Sequence, residues 1–364
     1  MKFTINTSPS QFGSNRRFVP RPPSFFIARA WPFSYARAVN AERLERILRR
    51  IGNAHVVVVG DACLDANVYG RAEVVAKEAP VLALEASEPV FAPGQATNVA
   101  VNAAALGARV SFLGVVGPDE HGARLLELLR AFNVDAAGLV AEAGRTTTYK
   151  VKFVAREAQR HRQHLFHAYW QERRPPSGTA QKELRRSAAR ALADADALVL
   201  SDYGNGTLTP RFSKWLIDES VRRGAVSVAN ARGDLTKFRG TTAAVANMEE
   251  LISLSGRSAA DDLSAAMASA ATKLQARYFV VTGGSEGMFV WPARGRARRL
   301  IPAARDVVDV TGAGDTVTAA LAAALAAGAG LASAAALANL AAAAVVAREG
   351  TSVAAPEELR LFVT

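Results

Sequence analysis

Short runs of branched apolar residues that end in Gly, Asp or Asn alternate along this chain with longer stretches at helical spacing. Residues 41–50 (AERLERILRR) are amphipathic and lead into residues 55–59 (HVVVV), an all-apolar run suited to a central parallel strand. Residues 67–93 break into short β-like pieces, such as 81–84 and 90–91, and predict a small sheet projecting from the main domain. A helix then opens within residues 93–98, runs to Leu106 and closes at Gly107. Residues 110–115 form a strand, 123–132 a helix, and β alternation returns over 146–154. From residue 187 the rhythm is helix, strand, helix, strand, with strands at 197–200, 226–228, 243–245 and 278–281 and a helix over 210–223 closed by Gly224. Residues 306–310 alternate charged and branched side chains as a short strand would, before a glycine turn and a run of strong helix formers. Strands separated by helices predict an α/β protein with a doubly wound, mostly parallel sheet covered on both faces. The strand ends carrying Asp61, Asp202, Asn247, Thr282 and the 312–315 turn then share one edge, where open α/β sheets bind ligands.

Charge changes this picture less than its size suggests. The formal net charge is +11, but residues 1–50 hold ten Lys/Arg against two Glu and carry +8 of it. Residues 1–50 therefore read as a basic extension ending in a helix, and 51–364 as the folded domain, with no nucleic-acid partner expected. Residues 1–40 contain no acidic residue and are rich in Arg, Ser, Phe and Pro, which fits a presequence-like leader and a plain extension equally. The single cysteine, Cys63, excludes disulfide frameworks and Cys-based zinc sites and leads to the expectation of a cytoplasmic protein. Residues 317–347 lack charge over 31 positions, long enough for a bilayer. Thr318, Ser333, Asn339 and the break at Gly328, Ala329 and Gly330 instead predict two buried helices and no membrane partner.

Chemistry concentrates in DVVDVTGAGDT, residues 306–316. Gly312, Ala313 and Gly314 turn backbone N–H groups outward at a helix N-terminus, an anion cradle suited to phosphate. Asp315 sits at its lip, where a carboxylate can take a proton from an incoming hydroxyl. Taken alone, Asp315 serves equally as an N-cap. Asp61 and Asp65 follow the first strand, either as ligand-binding carboxylates or as turn residues. Asn247 and Glu250 have the Asn-x-x-Glu spacing suited to holding water around Mg²⁺. Residues 283–287 (GGSEG) match a nucleophile elbow, but no His follows His167, so the hydrolase reading fails. Neither a Walker A sequence nor a G-x-G-x-x-G after the first strand is present. His161, His164 and His167, three apart in a β context, fall on alternating sides, and no metal is expected there. A phosphate cradle with a carboxylate, a second glycine turn and an Asn-x-x-Glu are the parts that phosphoryl transfer needs.

In order, the segments GDACLDANVYG, KEAPV, PGQATNVAVNAAALGA, SDYGNG, FRGTT, NMEE and DVTGAGDT resemble the ribokinase-like (PfkB) carbohydrate kinases over about residues 54–360. Within that family the chain is most similar in look to the heptose-7-phosphate kinases. The resemblance implies a three-layer α/β/α fold with a small β-sheet lid built from about residues 67–93 and 146–168. It also implies ATP-dependent phosphorylation of a sugar or sugar-phosphate hydroxyl, heptose 7-phosphate being one such acceptor. Asp315 would be the general base, and the backbone of Gly312, Ala313 and Gly314 the anion hole. Asn247 and Glu250 would organise Mg²⁺ through water. Thr282, Gly284, Gly287 and Asn339, with Asn247, would line the ATP pocket. Asp61, Asp65, Gly94, Gln95 and Asn98 would meet the sugar. A monovalent cation is a further candidate cofactor, and a homodimer through the lid is the implied assembly. No nucleotidyltransferase segment follows, so a kinase alone is expected.

Several positions depart from the family pattern. Gln95 replaces a glycine, Ala229 an aspartate, and Val245-Ala246 a Thr-Pro pair. His167 and Tyr169 stand where heptose kinases tend to carry Arg and Asp on the lid strand. Two other functions stay open on the same scaffold. One is a homologue that binds sugar or nucleotide without catalysis, favoured by Gln95 and Ala229 and opposed by Asp315 and the intact glycine turn. The other is a nucleoside kinase.

Overall fold

A computed structural model describes residues 34–35, 39–157, 160–257, 262–292, 295–304 and 306–363. The basic extension read from the sequence lies, up to residue 33, outside the described residues. In chain order the strands are β1 (Ser34–Tyr35), β2 (His55–Gly60), β3 (Ala62–Val75), β4 (Leu82–Ala86), β5 (Val90–Gln95), β6 (Arg109–Val116), β7 (Val134–Ala141) and β8 (Tyr149–Glu157). They continue with β9 (Arg160–Trp170), β10 (Ala197–Asp202), β11 (Val226–Ala231), β12 (Ala243–Asn247), β13 (Tyr278–Thr282), β14 (Met288–Pro292) and β15 (Arg298–Leu300). The helices are α1 (Ala41–Ile51), α2 (Ala96–Ala105), α3 (Glu120–Ala131), α4 (Gly178–Ala191), α5 (Pro210–Arg223), α6 (Met248–Ser255), α7 (Leu263–Leu274), α8 (Ala313–Ala326), α9 (Leu331–Val346) and α10 (Pro356–Arg360).

Ten strands form one sheet in the order β1-β15-β14-β13-β12-β11-β10-β2-β6-β7. From β13 to β7 every neighbouring pair is parallel, while β14 pairs antiparallel with both β13 and β15. The centre of the sheet needs no polar face, and all of β2 and β10 is buried. Helix α8 packs against α1, α2 and α9 and against β10 and β11, while α5 contacts β10 and β11 and α7 contacts β13 and β14, which makes three layers. The uncharged stretch forms α8 and α9, whose alanines and leucines belong to the main core. Among the described residues no helix is long and apolar enough to cross a membrane.

A second sheet of five strands has the order β4-β3-β8-β9, with β5 also on β3. Its register places Asp65, Asn67 and Tyr69 of β3, Lys150 and Lys152 of β8, and His167 and Tyr169 of β9 on one polar face. Leu64, Ala66, Tyr149, Val151, Phe153, Phe166, Ala168 and Trp170 share the other, apolar face.

Two local expectations need correction. Residues 306–310 do not join a sheet, and Val307, Val308 and Val310 are 63%, 52% and 67% exposed. The N–H groups of Val308 and Asp309 both donate to the Val346 carbonyl, and the side chains of Val307 and Val310 wall a cavity instead of pairing with a strand. His164 and His167 do not sit on opposite sides. A register shift in the β8–β9 pairing puts their rings in hydrogen-bond contact at 3.0 Å. The side chain of His161 lies outside the described residues.

Candidate active site

Helix α8 begins at Gly312, which takes the left-handed conformation (φ 79°). A Cβ there would lie 2.7 Å from Asn98 Nδ2, so only glycine lets α2 approach the start of α8 this closely. The contact matters because Asn98 Nδ2 donates to Asp315 Oδ2 at 2.9 Å. Asn102 fixes which way that amide faces: its Nδ2 donates to Asn98 Oδ1 at 3.0 Å, while Thr316 Oγ1 donates to Asn102 Oδ1 at 2.9 Å. The second oxygen of Asp315, Oδ1, accepts the Tyr203 hydroxyl at 2.5 Å. Burial pushes the Asp315 carboxyl above its ordinary value, while the bonds from Tyr203 and Asn98 and the charge of Arg232 favour its ionised form.

The glycine turn next to Asp315 divides its backbone groups. Ala313 N–H donates back to the Val310 carbonyl at 3.2 Å, so it is turned into the turn rather than outward. Gly314 and Asp315, in the first turn of α8, have no intrahelical carbonyl within reach of their N–H groups. A Cβ on Gly314 would meet nothing within 4 Å, so its surface is open.

The residues assigned to the acceptor fall into two groups. Asp65 and Asn98 are buried on the polar side near Asp315, and Lys152 Nζ pairs with Asp65 Oδ2 at 3.3 Å. Gly94 is required by that carboxylate, since a Cβ would lie 2.4 Å from Asp65 Oδ1. Asp61 is turned elsewhere. Its Oδ2 accepts the N–H groups of Tyr203 (2.8 Å) and Asn205 (3.0 Å), and its Oδ1 accepts that of Thr207 (3.1 Å). The structure thus uses Asp61 to fix the loop after β10. Asp202, which shares that strand end, is ion-paired with Lys237. Gln95 precedes α2 at φ 52° and ψ −131°, a backbone region that favours glycine. Its Oε1 accepts Asn205 Nδ2 at 2.9 Å.

On the other side of Asp315 lies a cavity of about 710 Å³ walled by Asn247, Glu250, Thr282, Gly284, Gly287 and Asn339, together with Gly314 and Asp315. The residues expected around a nucleotide are therefore brought to one cavity. Gly287 adopts φ 88°, and a Cβ there would lie 2.2 Å from the Leu300 carbonyl, so glycine closes this turn. Asn339 Nδ2 is held by the Ile301 carbonyl at 2.8 Å. Asn247 and Glu250 form a reciprocal capping box on α6: Glu250 N donates to Asn247 Oδ1, and Asn247 N donates to Glu250 Oε2, both at 2.8 Å. The other Glu250 oxygen lies outside this box, and burial raises the Glu250 pKa while Asn247 and Arg232 oppose the rise. Among the described residues no cluster of three or more His, Cys, Asp or Glu could chelate a metal directly.

Tyr203, Arg232, Lys150 and Lys152 are functional candidates to which no motif assigns a role. Arg232 Cζ lies 5.8 Å from the Tyr203 ring centroid and Lys150 Nζ 5.6 Å from it. Lys150 on β8 is in register with Asp65 on β3, a pairing that no local motif signals.

Residues 53–358 match the model of the pfkB family carbohydrate kinases, and the chain belongs to that family. It is 38% identical over 312 residues to the bifunctional protein HldE of Nitrobacter winogradskyi, covering 84% of this chain and 62% of that protein. It is 37% identical over 328 residues to that of Geobacter metallireducens, covering 87% and 64%. The chain thus spans less than two thirds of the length of these curated relatives. Among solved structures it is similar to phosphofructokinase-2 from Escherichia coli in complex with substrates and products (TM-score 0.70, 19% identity, 85% of this chain and 98% of that one). It is also similar to Arabidopsis thaliana ribokinase complexed with ribose and ATP (TM-score 0.65, 19% identity, 85% and 98%). At these identities the likeness shows the fold.

Proposed function

We propose that this chain transfers the terminal phosphoryl group of ATP to a hydroxyl of a sugar phosphate, heptose 7-phosphate being the first acceptor to try. The observation that carries the reading is the buried Asp315 carboxylate at the start of α8. It is held on both oxygens and stands between a polar acceptor side and the nucleotide-sized cavity. In the step, the acceptor hydroxyl gives its proton to Asp315, its oxygen bonds to the γ-phosphorus, and the bond to ADP breaks. The N–H groups of Gly314 and Asp315 and the positive end of α8 stand where charge develops on the transferred group. Gly312 serves by letting Asn98 approach, and Ala313 by closing the turn. Thr282, Gly284, Gly287 and Asn339 shape the nucleotide side, and the apolar wall of Val307 and Val310 suits a nucleobase.

The donor set fits Mg²⁺ held through water, since Glu250 keeps one carboxylate oxygen outside its capping box and Mg²⁺ keeps most of its waters. When bound with ATP, that ion would neutralise charge on the phosphates. An anionic acceptor is favoured by the polar face of the small sheet, which we assign as a lid. Among the described residues, Lys150 has no carboxylate partner, and it lies beside Tyr203, whose hydroxyl touches Asp315. Asp65, Asn98 and Gln95 line the same side. We place the chain in the cytoplasm, which its lone, buried Cys63 supports, and infer a homodimer through the apolar face of the lid.

The test is Mg-ATP turnover over a panel of sugars, sugar phosphates and nucleosides, with Asp315→Asn alongside. One acceptor should be phosphorylated well, and the variant should lose roughly 10²–10⁴-fold in kcat with little change in the KM for ATP. An Asn variant with near-normal kcat would remove Asp315 as the base.

A further inference from the structure

The Tyr203 ring is pinned from several directions, yet phosphoryl transfer by Asp315 alone does not require it. Asp61 holds its backbone N–H, Lys150 and Arg232 lie within 6 Å of its ring, and its hydroxyl donates to Asp315 Oδ1. The loop that carries it is bonded to Asp61 at three backbone N–H groups, so the hydroxyl is delivered by a rigid strap between the ends of β2 and β10.

We propose that Tyr203 is a positioning residue for phosphoryl transfer: its hydroxyl fixes Asp315 Oδ1, opposite the Asn98 amide on Oδ2, so that the carboxylate is aimed at the acceptor hydroxyl. The inference rests on Asp315 acting as the general base. A carboxylate offers about four lone-pair sites, so two donors leave room for the acceptor hydroxyl. The two donors also counter burial, which works against the ionised form that a base must have. Tyr203 stays protonated in this role, because burial and the neighbouring Asp315 push its own pKa well up.

The groups in this balance come from several elements. Asp65 on β3 raises the Asp315 pKa; Asn98 on α2, Arg232 after β11 and Tyr203 after β10 lower it. Glu250 on α6 acts on Arg232, and Lys150 on β8 lies beside the Tyr203 ring. The base works above its pKa, and the rate falls as pH drops through that value. Removing the tyrosine hydroxyl raises the value, so the acid limb of the rate profile moves to higher pH.

The experiment is single-turnover phosphoryl transfer by Tyr203→Phe and wild type from pH 5.5 to 9, with saturating Mg-ATP. The acceptor is heptose 7-phosphate, or the panel member that wild type phosphorylates fastest. The limb should move up by about one to two pH units, the scale of a hydrogen bond to a charged group. The rate at high pH should return to within a few-fold of wild type, and the KM for ATP should not change. Replacing Tyr203 with 3-fluorotyrosine, a stronger donor of the same shape, should move the limb the other way. An unmoved limb in both variants, or a uniform loss at every pH, overturns the proposal. If Asp315→Asn is itself fully active, the general-base reading falls first, and that measurement separates the two failures.

Discussion

Gln95 shows how a single residue can be legible in kind and hidden in geometry. Its bulk, where the resemblance to the carbohydrate kinases leads one to expect glycine, is plain in the sequence. The backbone at φ 52° and ψ −131° is not, and a non-glycine residue held there costs on the order of 1–3 kcal/mol. Such strain persists only where surroundings over-determine it, and here Asn205 Nδ2 bonds the Gln95 side chain at 2.9 Å. Gln95→Gly relieves the strain, but it frees the unfolded chain by roughly 0.4–1 kcal/mol and loses a hydrogen bond of about 1 kcal/mol. Asn205, whose Oδ1 is already buried without a partner, then loses its remaining bond to that side chain. Stability should therefore stay within about 1 kcal/mol of wild type by thermal unfolding, while kcat/KM shifts among acceptors on the panel. An unchanged acceptor profile would show that Gln95 does not shape the pocket. Asp61 teaches the converse. Its place after a buried strand is visible in sequence, but its partners are backbone groups more than 140 positions away, which no spacing encodes.

At the scale of elements, the two sheets are joined by an ionic knot. Glu142, just after β7, accepts Arg145 Nε at 2.5 Å, Arg174 Nη1 at 3.0 Å and Ser177 N–H at 2.8 Å. Arg174 follows β9, so the knot ties the root of the small sheet to the edge of the large one. Burial works against the Glu142 charge, but these donors together hold its pKa down to about 2. A carboxyl depressed in the folded state gives stability that is complete above its unfolded value, near 4.5, and is lost as pH falls towards 2. Glu142→Gln also strands the buried Arg145, a loss of about 3–5 kcal/mol or roughly 10 °C in Tm at pH 7. The gap between variant and wild type should narrow as pH falls below about 4.5 and close only as it reaches about 2. A gap that stays constant over that range would show that the knot is not ionic in effect. Residues 306–310 and the histidines of β9 mark where local pattern misleads. Alternating valines face a cavity rather than a neighbouring strand, and a bulge reverses the side that a count of three assigns to His164 and His167.

For the whole molecule, periodicity carried the fold class, because buried parallel strands and alanine-rich helices leave uninterrupted apolar runs. The glycine turn and Asp315 were readable for the same reason, being contiguous. The proposed acceptor side was not, since Lys150, Tyr203 and Arg232 meet only through sheet register and the loop after β10. Register also gives the small sheet two unlike faces, and the apolar one is incompletely covered. Helix α3 reaches only its root, through His121 stacked on Tyr149 at 4.0 Å and Arg124 over Phe91 at 5.4 Å. At the root Trp170, the register partner of Tyr149, stacks on it at 5.5 Å and remains 51% exposed, and farther out Phe166 stacks on Phe153 at 4.4 Å and remains 58% exposed. Exposed aromatic side chains on a sheet that, among the described residues, has no helix packed over its outer part are what a second copy of the sheet would cover. Wild type should therefore sediment as twice its 38.4 kDa mass, and Phe166→Glu with Trp170→Glu as a monomer. The two substitutions lie on the face away from Asp65, Lys150 and Lys152, so the nucleotide side should be unaffected. A sheet without its partner loses support under the acceptor, and the acceptor KM should rise several-fold more than the KM for ATP. A wild-type chain that sediments as a monomer at micromolar concentration would remove the dimer, and with it the reason for that unequal loss.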